Sequence, residues 1–197
     1  MIEDFLAYVM ERSQVAKDDL CSIAAVCSVR KLRKGQYLLQ EKQVWRHLAF
    51  VTKGCLRTFS IDNEGIEHTV YFAMENWWTG DRQSFLTGES AQLNVEALED
   101  SEVIMIGKES FDKLCGDLPA FNEMINTILQ RSFVTYQNRI QAYVSMSAKQ
   151  NYLRFIEQFP GLATRVPQNM IASYLGIAPE TLSRIRRTLK PKPGMKA

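Results

Sequence analysis

The chain has 197 residues, 46% hydrophobic and 23% charged, the make-up of an ordinary globular protein with length for one or two cored domains. No apolar run approaches the ~20 residues that span a bilayer, and Met1-Ile2-Glu3-Asp4 is acidic where a secretory leader is basic, so a cytoplasmic location is expected. The net charge of +2 is uneven: residues 163–197 hold seven Lys/Arg and one Glu, leaving −4 on the rest, which suits phosphate contacts confined to one end.

In chain order, helical spacing of Phe5, Leu6 and Val9, and of Leu20, Ile23, Ala24 and Cys27, predicts short helices at residues 2–12 and 17–27. From Gln36 to Gly107 the texture changes to short β-prone runs. Strands are expected at 37–40, 48–52, 55–61, 67–73, 92–98 and 102–106, with turns at Lys53-Gly54, Asp62–Gly65 and Leu98–Asp100. Val103-Ile104-Met105-Ile106 is apolar on both faces and so belongs in the middle of a sheet. Many short strands argue for an antiparallel roll.

After Gly107 the period becomes helical. A short helix at 109–114 should end at Gly116, and an unbroken pattern runs from Pro119 to about Met146. Leu129, Phe133, Tyr136, Ile140 and Tyr143 recur at spacings of 4, 3, 4 and 3 along it, a heptad seam that favours pairing with a second copy. Its first half, including Phe121, Met124 and Ile125, can instead pack on the roll. Residues 145–148 are the expected hinge, followed by a helix at 149–159. The expected domains are therefore 1–116, 117–147 and 148–197.

The stretch from Val166 to Leu189 predicts two helices, 167–175 and one opening at Pro179, around a turn at Gly176-Ile177-Ala178. Ile171, Leu175, Ile177, Leu182 and Ile185 would share a buried face, which leaves Glu180, Ser183, Arg184 and Arg187 outward on the second helix. That is a helix-turn-helix able to present hydrogen-bonding side chains to DNA bases. A plain structural helical hairpin fits the same residues.

The four cysteines form no CxxC pair and are read as small apolar residues, an iron–sulfur or redox sensor being the alternative. No nucleophile motif and no phosphate-cradling glycine loop is present, so an enzyme is not expected.

A roll, one long helix and a terminal helix-turn-helix together resemble the CRP/FNR superfamily of bacterial transcription regulators. Lys34-Gly35-Gln36, Phe50–Gly54, Asp62–Gly65, Gly80-Asp81 and Gly176 through Leu189 carry the resemblance. The phrases Ile171–Gly176 and Glu180–Arg187 look like the Bacteroidetes-type branch. The resemblance implies an α+β protein: a cyclic-nucleotide-binding-like jelly roll, a dimerisation helix and a DNA-binding domain. It implies double-stranded DNA with a palindromic operator, a second copy of the chain and RNA polymerase as partners, and no membrane. By motif position, Glu180, Ser183 and Arg184 would meet base edges, and Gln168, Thr181, Arg186 and Arg187 the phosphates.

Two departures from the family pattern stand out. Gly80-Asp81 matches the ribose element of cyclic-nucleotide-binding members, but Ala91 and Gln92 stand where an arginine pair would hold the cyclic phosphate, and Arg82 lies at the opposite end. Losing a charge-assisted bidentate contact disfavours cAMP or cGMP as cofactor. The pocket is then a remnant, a site for another ligand, or a space filled by Trp77, Trp78 and Phe85. The tail Lys190–Ala197 is also too short and proline-rich for the hairpin wing of many relatives. A second reading keeps the roll as a ligand sensor and makes the C-terminal helices a docking module for an acidic protein partner.

Overall fold

The computed structural model describes residues 1–189, and the expectations for the basic tail lie outside them. The elements run α1 (Ile2–Arg12), α2 (Asp19–Ala25), β1 (Cys27–Leu32), β2 (Tyr37–Leu39), β3 (His47–Lys53), β4 (Leu56–Ile61), β5 (Glu67–Ala73), β6 (Trp78–Thr79), α3 (Arg82–Thr87), β7 (Asn94–Ala97), β8 (Ser101–Gly107), α4 (Lys108–Asp117), α5 (Pro119–Ser145), α6 (Ala148–Gln158), α7 (Leu162–Arg165), α8 (Gln168–Tyr174) and α9 (Pro179–Leu189). Two compact units divide the chain, Met1–Phe133 and Val134–Ala197, so the boundary falls inside α5.

The first unit is built on two four-stranded antiparallel sheets, ordered β1-β8-β3-β6 and β2-β7-β4-β5. Strand β8 lies between β1 and β3, with Ile104 opposite both Val29 and Phe50. This explains its two apolar faces. Val103 and Met105 join Leu39, Val51, Leu56 and Val95 in the core between the sheets. Ile104 and Ile106 turn the other way, to a second core with Phe5, Val9, Ile23, Phe121 and Met124 from the helices. Each such side chain, fully buried, contributes about 1.5–3 kcal/mol.

Several expectations need correction. Cys27 does not continue α2; it opens β1, whose six residues pair with β8 from Cys27↔Ile106 to Leu32↔Ser101. Only Leu32 of β1 is buried, so this edge strand lacks the alternation that marks a strand in sequence. Helix α4 runs through Gly116 to Asp117 instead of stopping before it. The two-residue β6 and the short α3 and α7 fall below the length at which periodicity is legible.

A buried ion cluster sits in the second sheet. The Arg57 guanidinium is 3% exposed; its Nε lies 2.9 Å from Glu96 and it also pairs with Glu67. It stacks 4.0 Å from the Phe59 ring centroid.

Candidate nucleic-acid interface

In the second unit, Phe155, Leu162, Val166, Ile171, Ala172, Leu175, Leu182 and Ile185 are buried. Phe155 packs its ring on Phe159 and on Tyr174, with centroids 5.5 and 5.4 Å apart. Helix α6 begins with a reciprocal cap between Ser147 and Gln150, which fixes where α5 stops and α6 starts.

The turn between α8 and α9 closes both helices economically. Gly176 takes φ +65, the left-handed conformation that favours glycine. The Ile177 N–H then donates to the Ala172 carbonyl and the Gly176 N–H to Ser173, each at 3.0 Å, the two bonds of a Schellman ending. Pro167 is the residue before α8, not its first helical residue. Leu182 N–H bonds the Ala178 carbonyl, so α9 begins at Pro179 as the sequence predicts.

Helix α9 is two-faced. Leu182 and Ile185 are buried, whereas Glu180, Ser183, Arg184 and Arg187 are exposed on the opposite side. At 100° per residue those four side chains fall within a stripe about 100° wide. Thr181 and Arg186 are half-buried on the two flanks. Gln168, also half-buried, is the first residue of α8. The seven side chains expected to meet DNA therefore lie on the exposed stripe, its flanks, or the start of α8.

The expected effector residues have a different environment. Asp81 is buried and caps α3: one carboxylate oxygen accepts from Ser84 N–H at 3.0 Å, the other from Gln92 N–H at 3.0 Å. Ala91 is buried among Leu38, Trp45 and Phe85 in the inter-sheet core, and its N–H and carbonyl bond Gln43 and Lys42. Arg82 and Gln92 are exposed. The Tyr71 hydroxyl donates to the Gly80 carbonyl at 3.0 Å and accepts from the Gly80 N–H at 3.1 Å. A Cβ at Gly80 would lie 2.3 Å from Trp45 Nε1. The aromatic filling differs from expectation. Phe85 is in this core, but Trp78 points away to Phe5 and Phe50, and Trp77 is partly exposed. Trp45 and Tyr71, which sequence patterning did not single out, are the residues against Gly80. A tryptophan three residues after a turn carries no signal of which loop it will meet.

Along α5, Phe133, Tyr136 and Ile140 of the expected seam are exposed at 63%, 45% and 64%. Val144, at 84% exposed, extends the same side by one turn, outside the heptad spacing. Leu129 packs partly against the helical core of the first unit. The Tyr143 ring is partly exposed, but its hydroxyl donates to the Tyr174 carbonyl.

Residues 29–117 match the family model of the cyclic nucleotide-binding domain. The chain is 30% identical over 169 residues to the transcriptional activator protein Anr of Pseudomonas aeruginosa, covering 79% of this chain and 68% of that protein. The chain belongs to the CRP/FNR superfamily of transcription regulators. A second CRP/FNR relative, the transcriptional activator FnrA of Stutzerimonas stutzeri, is 28% identical over 167 residues, 79% of this chain and 68% of its own. The solved structure of FixK2 from Bradyrhizobium japonicum shares the fold, with a TM-score of 0.72 at 18% identity over 86% of this chain and 90% of that one. DNA-binding transcription regulation is thus the class of activity.

The four cysteines leave an iron–sulfur or redox site as the alternative to simple apolar packing. Among the described residues, no group of three or more His, Cys, Asp or Glu side chains could hold a metal ion. Cys55 is buried, Cys21 exposed, and Cys27 and Cys115 half-buried. Burial pushes the Cys27 thiol up to about 11, so in the metal-free protein it stays a neutral thiol. No helix among the described residues is long and apolar enough to cross a membrane.

Proposed function

We propose that the protein is a homodimeric, sequence-specific DNA-binding regulator whose α9 enters the major groove. The observation that carries this is the stripe on α9: four outward polar side chains opposite a face anchored by Leu182 and Ile185. Arg184 offers the bidentate fork that suits guanine, Glu180 accepts from a cytosine amino group, and Ser183 reaches either. Gln168, Thr181, Arg186 and Arg187 hold the phosphates, setting register without reading sequence.

The apolar side of α5 supports pairing of two copies, because Phe133, Tyr136, Ile140 and Val144 are exposed together on one chain. A twofold pair would set two recognition helices into successive major grooves roughly 34 Å apart, on a palindromic site. RNA polymerase is a further partner in this reading, supported by the relatives named as transcriptional activators. The roll's geometry disfavours a cyclic-nucleotide switch: the Asp81 carboxylate already accepts from two backbone amides, and Ala91 supplies no cation.

Selection of bound duplexes from a random pool, followed by footprinting, tests the reading. A protected palindrome whose affinity falls steeply with salt is expected. Binding no tighter than to random DNA, or a salt-insensitive interaction, would sink it.

A further inference from the structure

The carbonyl of Tyr174 is the last of α8 and would be an orphan in an isolated helix end. The Schellman turn satisfies the carbonyls of Ala172 and Ser173, and Leu175 N–H takes that of Ile171. The Tyr174 carbonyl is served from α5 instead. Tyr143 Oη donates to it, and Arg139 Nη2 donates to it at 3.2 Å. Arg139 Nε also bonds Tyr143 Oη at 2.9 Å, so the two donors brace each other. The Arg139 guanidinium lies 4.0 Å from the Tyr174 ring centroid and 5.3 Å from that of Tyr143. The Tyr143 ring reaches the turn itself: a Cβ at Gly176 would stand 3.7 Å from it.

We infer that Arg139 and Tyr143 are positioning residues for DNA reading. They fix the α8–turn–α9 hairpin to the end of α5, so that the angle of the reading helix is set by α5. Each contact is modest, but they share one acceptor and one aromatic stack, and a charged donor makes the stronger kind of hydrogen bond. The guanidinium fork both stacks and donates twice; a lysine at 139 cannot reproduce that. It follows that Tyr143 is divided in role, with a ring at the edge of the exposed α5 side and a hydroxyl committed to the hairpin. The inference rests on the DNA-reading function proposed above.

The test uses the full chain, with duplexes selected by the wild type as probe. Tyr143→Phe keeps the ring and deletes the hydroxyl; Arg139→Lys keeps the charge and deletes the fork. Both should lower affinity for the selected duplex about five- to tenfold while leaving affinity for random duplex unchanged. In the free protein, amide hydrogen exchange at Gly176 and Ile177 should quicken in both variants, a readout that needs no DNA. Sedimentation should show the same state of association as the wild type. Unchanged exchange and unchanged selectivity would overturn the inference, as would a loss of affinity explained wholly by loss of the dimer. If the wild type selects no duplex, DNA reading fails, while the exchange measurement still decides whether the clamp holds the turn.

Discussion

The indole of Trp45 occupies the space into which a side chain on residue 80 would project: its Nε1 lies 2.3 Å from the point where a Cβ on Gly80 would stand. Gly80 also holds φ +132, a conformation that side chains rarely adopt. Gly80→Ala therefore meets both a clash and backbone strain, and it should cost about 2 kcal/mol or more in urea unfolding. Trp45→Ala should cost about 3–5 kcal/mol and leave a void able to admit indole, whose binding would raise the melting temperature of that variant alone. Wild-type protein should show no thermal shift with cAMP or cGMP. A clear upward shift would mean that Trp45 and Tyr71 vacate the site.

The two kinds of arginine on α9 should behave differently. Arg184→Ala is expected to lose about 1–3 kcal/mol against the selected duplex and to relax the sequence preference at one position of each half-site. Arg187→Ala should weaken selected and random duplexes alike and reduce the dependence on salt by about one ion. Binding measured by fluorescence anisotropy across a salt series separates the two. If both variants lose selectivity equally, the assignment of Arg187 to phosphate is wrong.

Most of this arrangement was legible beforehand where a periodic pattern ran long enough to be read. The bounds of α1 and β5 match the expected ones, and α5 ends one residue early: the helices have apolar residues at helical spacing, and β5 is a β-prone run set off by the turn at Asp62–Gly65. The α9 stripe was readable for the same reason: Leu182 and Ile185 define one face, and everything opposite is polar. What could not be read depended on contacts distant in sequence. Nothing near Trp45 announces that it will meet Gly80, and nothing near Tyr174 announces that its carbonyl will be taken by Arg139 and Tyr143. Tyr143 had a place in the α5 seam by spacing alone, which reports the side of a helix but not the destination of a hydroxyl. Strand β1 is not legible in the sequence because its exposed edge has no alternation to detect.

The Arg57 cluster should be costly to break on one side only. Arg57 is almost fully buried and pairs with Glu96 and Glu67. Burial pushes the Glu96 carboxyl above the usual carboxylate range, against the pull of the arginine. Arg57→Ala leaves that carboxylate without its buried partner and should destabilise the fold by about 3–5 kcal/mol in chemical denaturation. Arg57→Met with Glu96→Gln removes the two more deeply buried of the three charges and should recover a good part of the loss. A single variant as stable as the wild type would show that the cluster is more solvated than its burial implies.

Exposed apolar side chains on α5 predict a separable defect in assembly. Ile140 is 64% exposed on the single chain, so Ile140→Glu leaves the core of either unit untouched, and any loss of stability should be the concentration-dependent part that comes from dissociation. A buried carboxylate opposite its own copy is strongly unfavourable, and the variant should sediment as a monomer. Its affinity for a palindrome should fall to that of a single half-site. A variant that stays dimeric would move the interface away from this side of α5.

The His47 imidazole predicts how the fold responds to mild acid. Burial, and after it the cation of Arg30, hold this group below its ordinary value of 6.5. The unfolded chain then binds the proton more readily than the folded one across the interval between the two values. Stability linked to His47 is complete above about pH 6.5 and is lost as pH falls through the depressed folded value. The urea midpoint should therefore drop as pH is lowered from about 7 towards 5, and His47→Gln, which cannot titrate there, should flatten that part of the curve. Because the ring is only partly buried, the slope will be modest and clearest in the difference between the two proteins. A variant whose midpoint falls as steeply as the wild type assigns the acid response to other groups, with Glu96 acting in the opposite sense, since a raised carboxyl favours the folded state as pH falls.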